Sequence, residues 1–238
     1  MRTIRLFCDA IPAQASRLTL SPEESWHAGK VLRLRAGDAV EVLDGRGQVV
    51  QGRLEAWDPQ QRHPTLEVAI ASRRQAPEPS RKLHLFIAPP KGKLMSQIVR
   101  DATELGVWSI TPVRCQRSVA DPLGKDVIKA WGADAVEACK QSGNPFLPAF
   151  HPALDFAAAL AQAPAAGGFG AVPEIGDGGI PLPETGDIAV WIGPEGGFSD
   201  EEHAALRQKG YRGITIGRWV LRVETAAVVA AAVVLCAR

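Results

Sequence analysis

The sequence predicts an α/β protein of 238 residues in which a small β-barrel precedes a larger domain with a parallel sheet. Residues 1–72 hold several short, alternating apolar segments, which are typical of a small barrel. In residues 83–238, continuous apolar segments alternate with helical ones, and this alternation indicates a parallel sheet covered on both faces. The polar, proline-containing residues 73–82 between the two regions are typical of a linker.

A β-hairpin is the clearest element of the N-terminal region. Residues 38–57 alternate between apolar and polar positions on both sides of Asp44-Gly45, a pair that favours a tight turn. Before the hairpin, Ser21-Pro22 predicts the start of a short helix, because proline fits the first helical position. Several short strands in so few residues are what a small barrel requires.

The same region carries basic side chains that allow two interpretations. They could form a face that neutralises phosphates, or they could belong to an ordinary solvated surface. The formal net charge of +1 for the whole chain favours neither interpretation. The side chains are those of Lys30, Arg33, Arg35, Arg46 and Arg53.

The larger domain begins with alternating strands and helices. An apolar strand, a turn with two prolines and a glycine, and an amphipathic helix closed by Gly106 come first. We expect strands at 83–88, 107–113 and 167–174, and helices at 93–105, 127–142 and 155–162.

Two C-terminal segments, residues 189–202 and 214–227, share one pattern. In each, a short apolar run predicts a buried strand, a glycine-containing turn follows, and a helix begins. In the first segment, Ser199 and Glu202 have the spacing of a capping box, so we expect a helix that starts there and ends near Gly210.

The turn of the first segment contains Gly193, Gly196 and Gly197. Glycines allow positive φ angles and a close approach of the backbone to a ligand, and the free N–H groups of a helix N-terminus favour polar or anionic groups. The turn lacks the ending of a P-loop and the glycine order of the dinucleotide fingerprint. From the pattern alone it is either a tight strand-to-helix turn or a ligand-binding loop.

Composition predicts a cytoplasmic protein without a metal. The four cysteines are far apart in sequence and the five histidines are scattered, which argues against a zinc site and against disulfides. The N-terminus lacks the apolar region of a signal peptide. The most apolar run, residues 226–237, is shorter than the roughly 20 residues that span a bilayer.

Residues 192–199 and 216–226 together resemble the paired signature of the SPOUT (trefoil-knot) RNA methyltransferases. The resemblance is closer to the ribosomal RNA small subunit methyltransferase E branch. Two long motifs at the right mutual distance are far more specific than one glycine loop. The similarity continues through Lys91 with 101–107, the pair Arg117-Ser118, and residues 137–144.

Two places depart from the family pattern. Asn144 stands where many family members have arginine, and residues 174–185 are unusually rich in glycine and proline. The resemblance implies a C-terminal SPOUT domain at 83–238 with a parallel sheet and a deep trefoil knot, and a PUA-like RNA-binding barrel at 1–72. It also implies a homodimer packed around the knot. The apolar helix at 225–237 suits that contact, although an ordinary core helix has the same composition.

The function that the resemblance implies is S-adenosylmethionine-dependent methylation of uridine N3 in 16S (small-subunit) ribosomal RNA. Two alternatives stay open. One is a knot methyltransferase that acts on tRNA or on a ribose 2′-hydroxyl, and the other is a non-catalytic RNA-binding or assembly factor. The intact glycines and the match of residues 27–38 to the family's barrel favour the first reading.

The resemblance also implies site residues. Those for S-adenosylmethionine are Gly170, Glu174, Ile192, Gly193, Pro194, Glu195, Gly196, Gly197, Ile216, Gly217, Leu221, Arg222, Thr225 and Ala226. Those for RNA are His27, Lys30, Arg33, Arg35, Lys91 and Arg117.

For catalysis we consider Arg222 and Glu224. N3 of uridine must lose a proton before it can accept a methyl group, so positive charge near the uracil carbonyls would stabilise the anion. We expect Arg222 to supply that charge and Glu224 to orient Arg222 or its loop. A charged pair that only stabilises the turn is the alternative, since an unpaired charge in an apolar turn would be costly.

Overall fold

The computed structural model describes residues 3–55, 65–119, 125–171 and 183–236, which form two compact units. The N-terminal unit comprises Met1–Glu78 and Val136–Leu147, and the C-terminal unit comprises Pro79–Ala135 and Pro148–Arg238. The N-terminal unit therefore includes a segment that is distant in sequence, which a division of the chain at one linker does not anticipate.

The N-terminal unit contains one five-stranded sheet that curls into a half-barrel. Its strands are β1 (Arg5–Phe7), β2 (Arg17–Thr19), β3 (Ala39–Leu43), β4 (Gln48–Leu54) and β5 (Glu67–Gln75). The order is β1-β3-β4-β5-β2, with β1 parallel to β3 and the other pairs antiparallel. Of the predicted linker, residues 73–75 belong to β5.

The predicted hairpin is confirmed as β3 and β4. The turn between them is stabilised by Asp44, whose Oδ1 accepts hydrogen bonds from the backbone N–H groups of Arg46 (2.7 Å) and Gln48 (2.9 Å). Gly45 follows with a φ of 72°, a conformation that glycine adopts without strain. The short helix α1 (Pro22–Trp26) also begins as predicted, capped by the Ser21 side chain, and a π-helical turn, His27–Val31, continues it.

The C-terminal unit contains a parallel sheet, as predicted. Its strands are β6 (Arg81–Ile87), β7 (Ser109–Arg114), β8 (Ala149–Phe150), β9 (Leu154–Asp155), β10 (Ala166–Ala171), β11 (Gly186–Ile192) and β12 (Arg212–Thr215). The order is β12-β10-β11-β6-β7-β8, and β9 also pairs with β7. Each of these pairs is parallel.

Five helices accompany these strands in the described part of the chain. They are α2 (Leu94–Leu105), α3 (Lys125–Ser142), α4 (Phe156–Gln162), α5 (Asp200–Gln208) and α6 (Val223–Cys236). The predicted end of α2 is confirmed, because Gly106 has a φ of 89° and its N–H closes the last turn on the carbonyls of Ala102 and Thr103.

The core beside the sheet is built around Trp191 of β11. Its ring is stacked on that of Phe86 in β6, with 4.6 Å between the centroids, and it also packs against Phe156 and Tyr211. Phe198, in the loop after β11, belongs to the same buried cluster. Through Phe198, the segment between β11 and α5 is packed against this aromatic cluster.

Helix α6 returns from the edge of the sheet to its middle. It follows β12, the edge strand, yet it packs against α2, β6 and β11. Small side chains such as Ala227, Ala230 and Ala231 are fully buried there, which allows a close helix–sheet approach. The predicted trefoil knot depends on how this return path passes the loops beside it, and the knot stays a prediction.

Candidate functional site

A cavity of about 620 Å³ lies at the carboxyl ends of β10, β11 and β12. Ligands bind at such ends in open parallel sheets, and small-molecule sites measure roughly 300–1,000 Å³. The cavity is lined by Leu94, Gly170, Ile192, Gly193, Pro194, Glu195, Gly196, Gly197, Phe198, His203, Ile216, Trp219, Val220, Leu221, Arg222, Val223, Glu224 and Ala226. Most of these lining residues belong to the two C-terminal segments, residues 189–202 and 214–227.

The loop between β11 and α5, residues 193–199, favours glycine at three positions, two through close packing and one through its backbone conformation. A Cβ atom on Gly193 would lie 3.2 Å from the ring of Phe198, and one on Gly196 would lie 3.3 Å from Cβ of Arg117. Gly197 has a φ of 71°, which other residues adopt only with strain. We call residues 193–199 the glycine loop.

The end of the glycine loop is held by the predicted capping box. Ser199 Oγ accepts a hydrogen bond from the backbone N–H of Glu202 (3.2 Å), and Glu202 Oε2 accepts one from the backbone N–H of Ser199 (2.9 Å). The other oxygen of Glu202 accepts a bond from the backbone N–H of Gln116 at 2.8 Å. One buried carboxylate thus ties the start of α5 to the segment after β7.

Arg117, predicted to bind RNA, contacts the glycine loop directly. Its Nη1 atom donates to the carbonyl oxygens of Gly196 (3.1 Å) and Phe198 (3.2 Å). The backbone N–H of Lys91, another predicted RNA residue, lies 3.5 Å from Oε1 of Glu195 in the same loop. Both residues therefore lie beside the cavity, and Arg117 is a positioning residue for its wall.

Eleven of the predicted S-adenosylmethionine residues line the cavity, namely Gly170, Ile192, Gly193, Pro194, Glu195, Gly196, Gly197, Ile216, Leu221, Arg222 and Ala226.

 Ten of the eleven belong to the two C-terminal segments, and Gly170 joins them from β10. A Cβ atom on Gly170 would lie 3.0 Å from Cδ1 of Ile192, so this position also favours glycine.

Two predicted cofactor residues do not line the cavity, and a third is not among the described residues. Gly217 does not line the cavity and instead packs against Leu221, whose Cδ1 would lie 3.3 Å from a Cβ at that glycine. Thr225 is exposed on the first turn of α6 and does not line the cavity either, although its neighbours Glu224 and Ala226 do. Glu174 lies outside the described residues.

Arg222 and Glu224 both line the cavity, but the expected pairing is not present. Within the described residues, no ion pair or hydrogen bond joins the two side chains. Residues two positions apart at a helix start point in different directions, and Glu224 lies in the first turn of α6, where the helix dipole favours a carboxylate. Arg222 is exposed, so its charge is not buried in an apolar turn.

Sequence reasoning missed Phe198, His203 and Trp219, which also line the cavity. The ring of His203 lies 5.3 Å from that of Phe169 and 5.6 Å from that of Phe198. Burial, followed by the positive charge of Arg207, lowers the pKa of His203 below its ordinary value. In the sequence, His203 could have been noticed only as a histidine in the first turns of the predicted helix, four residues after its N-cap Ser199.

The remaining predicted RNA residues belong to the N-terminal unit. Lys30, Arg33 and Arg35 are exposed, and His27 is half-buried. Arg33 has a φ of 57°, which is uncommon for a residue other than glycine. Trp26 beside them is also exposed, with Nζ of Lys30 lying 5.6 Å from its ring centroid.

Within the described ranges, no group of three or more His, Cys, Asp or Glu side chains could hold a metal ion. None of the helices in those ranges is long and apolar enough to cross a bilayer. Burial raises the pKa of the Cys115 and Cys139 thiols to about 12, so both stay protonated at neutral pH.

Known families and proteins match this chain over most of its length. The model of the RNA methyltransferase domain matches residues 76–235, and the model of the RNA methyltransferase PUA domain matches residues 20–61. Ribosomal RNA small subunit methyltransferase E from Synechocystis is 29% identical over 224 residues, which are 90% of this chain and 71% of that protein. The protein of the same name from Mycobacterium bovis is 26% identical over 242 residues, or 97% and 90%.

Solved structures agree with these matches. A proposed methyltransferase from Legionella pneumophila, in complex with its cofactor S-adenosylmethionine, has a TM-score of 0.87 and 29% identity, covering 100% of this chain and 98% of that one. Ribosomal RNA small subunit methyltransferase E from Neisseria gonorrhoeae, bound to S-adenosylmethionine, has a TM-score of 0.85 and 25% identity, covering 98% of each chain. The chain therefore belongs to the RNA methyltransferase family, with a PUA domain of the kind found in RNA methyltransferases.

Proposed function

We propose that this protein transfers a methyl group from S-adenosylmethionine to N3 of a uridine in 16S (small-subunit) ribosomal RNA. The observation that carries the proposal is the cavity at the carboxyl ends of β10, β11 and β12, built from the two segments that resemble the family signature. The relatives named as small-subunit methyltransferases support the choice of substrate, and two similar solved structures that hold S-adenosylmethionine support the choice of cofactor.

The donor set of the cavity fits that cofactor. Ile192, Ile216 and Leu221 offer apolar surface for an adenine ring, while the glycine loop offers backbone groups for polar atoms. Glu195 and Glu224 place carboxylates on the wall, and negative charge suits the positive sulfonium of the cofactor. When bound, S-adenosylmethionine supplies an electrophilic methyl group.

The residues of the chain would contribute mainly position and charge. We propose that Arg222, exposed on the cavity wall, stabilises the uracil anion that forms when N3 loses its proton. Glu224 is not paired with Arg222 in the described structure, so its carboxylate would contribute negative charge to the cavity independently of Arg222. The wall of the cavity would align the base with the methyl group.

The larger assembly is also part of the proposal. His27, Lys30, Arg33 and Arg35 expose a basic segment of the N-terminal unit that suits RNA phosphates. We further propose a homodimer packed around a trefoil knot and a cytoplasmic location, both on the family resemblance. The buried small residues of α6 are compatible with such close packing.

The test uses purified protein, radiolabelled S-adenosylmethionine and small ribosomal subunits that lack the modification, with mass mapping of the product. A single N3-methyluridine in the small-subunit RNA is the expected result. Cofactor binding without methylation of that RNA would favour the alternative in which a tRNA or a ribose 2′-hydroxyl is the substrate. Absence of cofactor binding would favour a non-catalytic RNA-binding factor.

A further inference from the structure

Trp219 is an exposed indole on the rim of the cavity. Its side chain is 73% exposed and the neighbouring Val220 is 81% exposed, yet both line the cavity. Deeper in the same cavity, Ile192 is only 3% exposed. A large aromatic ring left in water beside a ligand site has apolar area to offer to a second ligand.

One arginine contacts this ring, and a second one lies on the wall of the same cavity. The guanidinium carbon of Arg218 lies 5.3 Å from the centroid of Trp219, within the range of a cation–π contact. Arg222, on the same cavity wall, is exposed as well. An aromatic face next to an arginine is a combination that binds single-stranded nucleic acid, in which bases stack and phosphates are neutralised.

The exposure of the ring separates this role from cofactor binding. The cofactor would occupy the part of the cavity walled by Ile192, Ile216 and Leu221, which are buried or half-buried. Trp219 faces the solvent from which an RNA strand must arrive. Such a strand carries both a π-face and a phosphate for every nucleotide, which matches the ring of Trp219 and the guanidinium of Arg218.

We infer that Trp219 stacks on an unpaired base of the RNA substrate at the mouth of the cavity, with Arg218 supporting the ring and facing the phosphates. The inference rests on the proposed function for the identity of the RNA, but not for the stacking itself. Trp219 is then a positioning residue, since it holds the strand while the reacting base enters the cavity.

The first test is binding of a uridine-rich single-stranded RNA oligonucleotide to the full chain. Stacking contributes enough that Trp219→Ala should weaken RNA binding on the order of ten-fold, while Trp219→Phe keeps most of the affinity. Binding of S-adenosylmethionine should be unchanged in both variants. Val127→Ala is the matched control, because this valine of α3 is exposed but does not line the cavity.

A spectroscopic readout distinguishes stacking from an indirect structural effect. A base stacked on an indole quenches its fluorescence, so RNA should quench the wild-type emission more than that of Trp219→Phe, which keeps the other five of the six tryptophans. Equal quenching and equal RNA affinity in the two proteins would overturn the inference. So would a loss of self-association in Trp219→Ala with RNA affinity unchanged, because a second copy of the chain would then cover the ring.

Failure of the proposed function gives a different result. If small ribosomal subunits are not methylated but the oligonucleotide still quenches Trp219, the stacking inference holds and the target RNA is another one. If the subunits are methylated with the same KM and kcat by wild type and Trp219→Ala, the proposed function holds and the stacking inference is wrong. The expected outcome is a raised KM for the RNA in Trp219→Ala.

Discussion

At the scale of single residues, Arg222 has the position that charge stabilisation requires. Its side chain is exposed on the cavity wall and makes no ion pair with Glu224 in the described structure, so its charge is available to a substrate. We predict that Arg222→Ala lowers kcat by about 100-fold, the usual effect of removing one group that stabilises transition-state charge.

Binding of S-adenosylmethionine by isothermal titration should be retained in Arg222→Ala, and Arg222→Lys should recover part of the turnover because it keeps the charge. The variant should fold normally, since an exposed side chain is removed. Unchanged turnover in Arg222→Ala would mean that the residue has no role in the reaction.

His203 predicts a dependence of stability on pH. Burial and Arg207 lower its pKa in the folded state below the unfolded value of 6.5, and the opposing carboxylates of Asp200 and Glu202 do not reverse that shift. The unfolded state therefore binds more protons near pH 6, so the free energy of unfolding should fall as the pH falls below 6.5. At pH values well above 6.5 the residue is neutral in both states and contributes no pH dependence.

The measurement is urea unfolding at pH 7.5 and pH 5.5 for wild type and His203→Leu. The variant should lose less stability between the two pH values than the wild type does. The positive charge of Arg117 also lowers the pKa of His203. Arg117→Ala should therefore lose less unfolding free energy between the two pH values than the wild type does. Parallel pH profiles for wild type and His203→Leu would contradict the predicted shift.

At the scale of elements, Arg117 connects the segment after β7 to the glycine loop. Its two hydrogen bonds to the carbonyls of Gly196 and Phe198 hold the wall of the cavity in place. A hydrogen bond to a charged group contributes about 1.5–3 kcal/mol, and 1.4 kcal/mol changes an equilibrium ten-fold. We predict that Arg117→Ala weakens S-adenosylmethionine binding roughly ten-fold.

Titration of the cofactor into wild type, Arg117→Ala and Arg117→Lys checks this prediction. The lysine variant should be intermediate, because one ammonium does not reproduce the geometry of the guanidinium. A normal cofactor affinity combined with weaker RNA binding would show instead that Arg117 contacts RNA, as the family resemblance implies.

At the scale of the whole molecule, the C-terminal end of α3 belongs to the N-terminal unit and is joined to it by a largely buried ion pair. Nζ of Lys140 lies 3.1 Å from Glu24 and 2.6 Å from Glu137, and its side chain is only 7% exposed. Arg5 donates hydrogen bonds to the carbonyls of Lys140 and Gln141, both at 3.2 Å. Oδ1 of Asn144 accepts a hydrogen bond from the backbone N–H of Phe146 and closes the turn that follows α3.

We predict that Lys140→Ala destabilises the protein by about 3 kcal/mol, because it leaves the largely buried carboxylate of Glu24 without its cation. Arg17→Ala is the control, since Arg17 pairs with Glu55 in the same unit but is 64% exposed, and exposed pairs contribute about 0–1 kcal/mol. Denaturant unfolding of both variants decides the point. Equal losses would show that the Lys140 pair is not what holds α3 to this unit.

Local features were the ones that the sequence predicted well. The Asp44-Gly45 turn, the Ser199–Glu202 capping box and the glycine end of α2 each depend on contacts across a few residues, so their chemistry can be read from spacing. The alternation of strands and helices likewise predicted the parallel sheet. The expected pairing of Arg222 with Glu224 is not present, because α6 begins at Val223 and residues two positions apart at a helix start point in different directions.

By itself, the sequence determined the two-part organisation, the local turns and caps, and the two segments that form the cavity wall, since each follows from propensities and hydrogen bonds over short distances. Only the tertiary structure decided the order of strands, and with it that His203 and Trp219 share a cavity with the glycine loop. It also placed the end of α3 with the N-terminal unit, through an ion pair between residues 24 and 140. These features depend on packing between distant segments, for which no local rule exists.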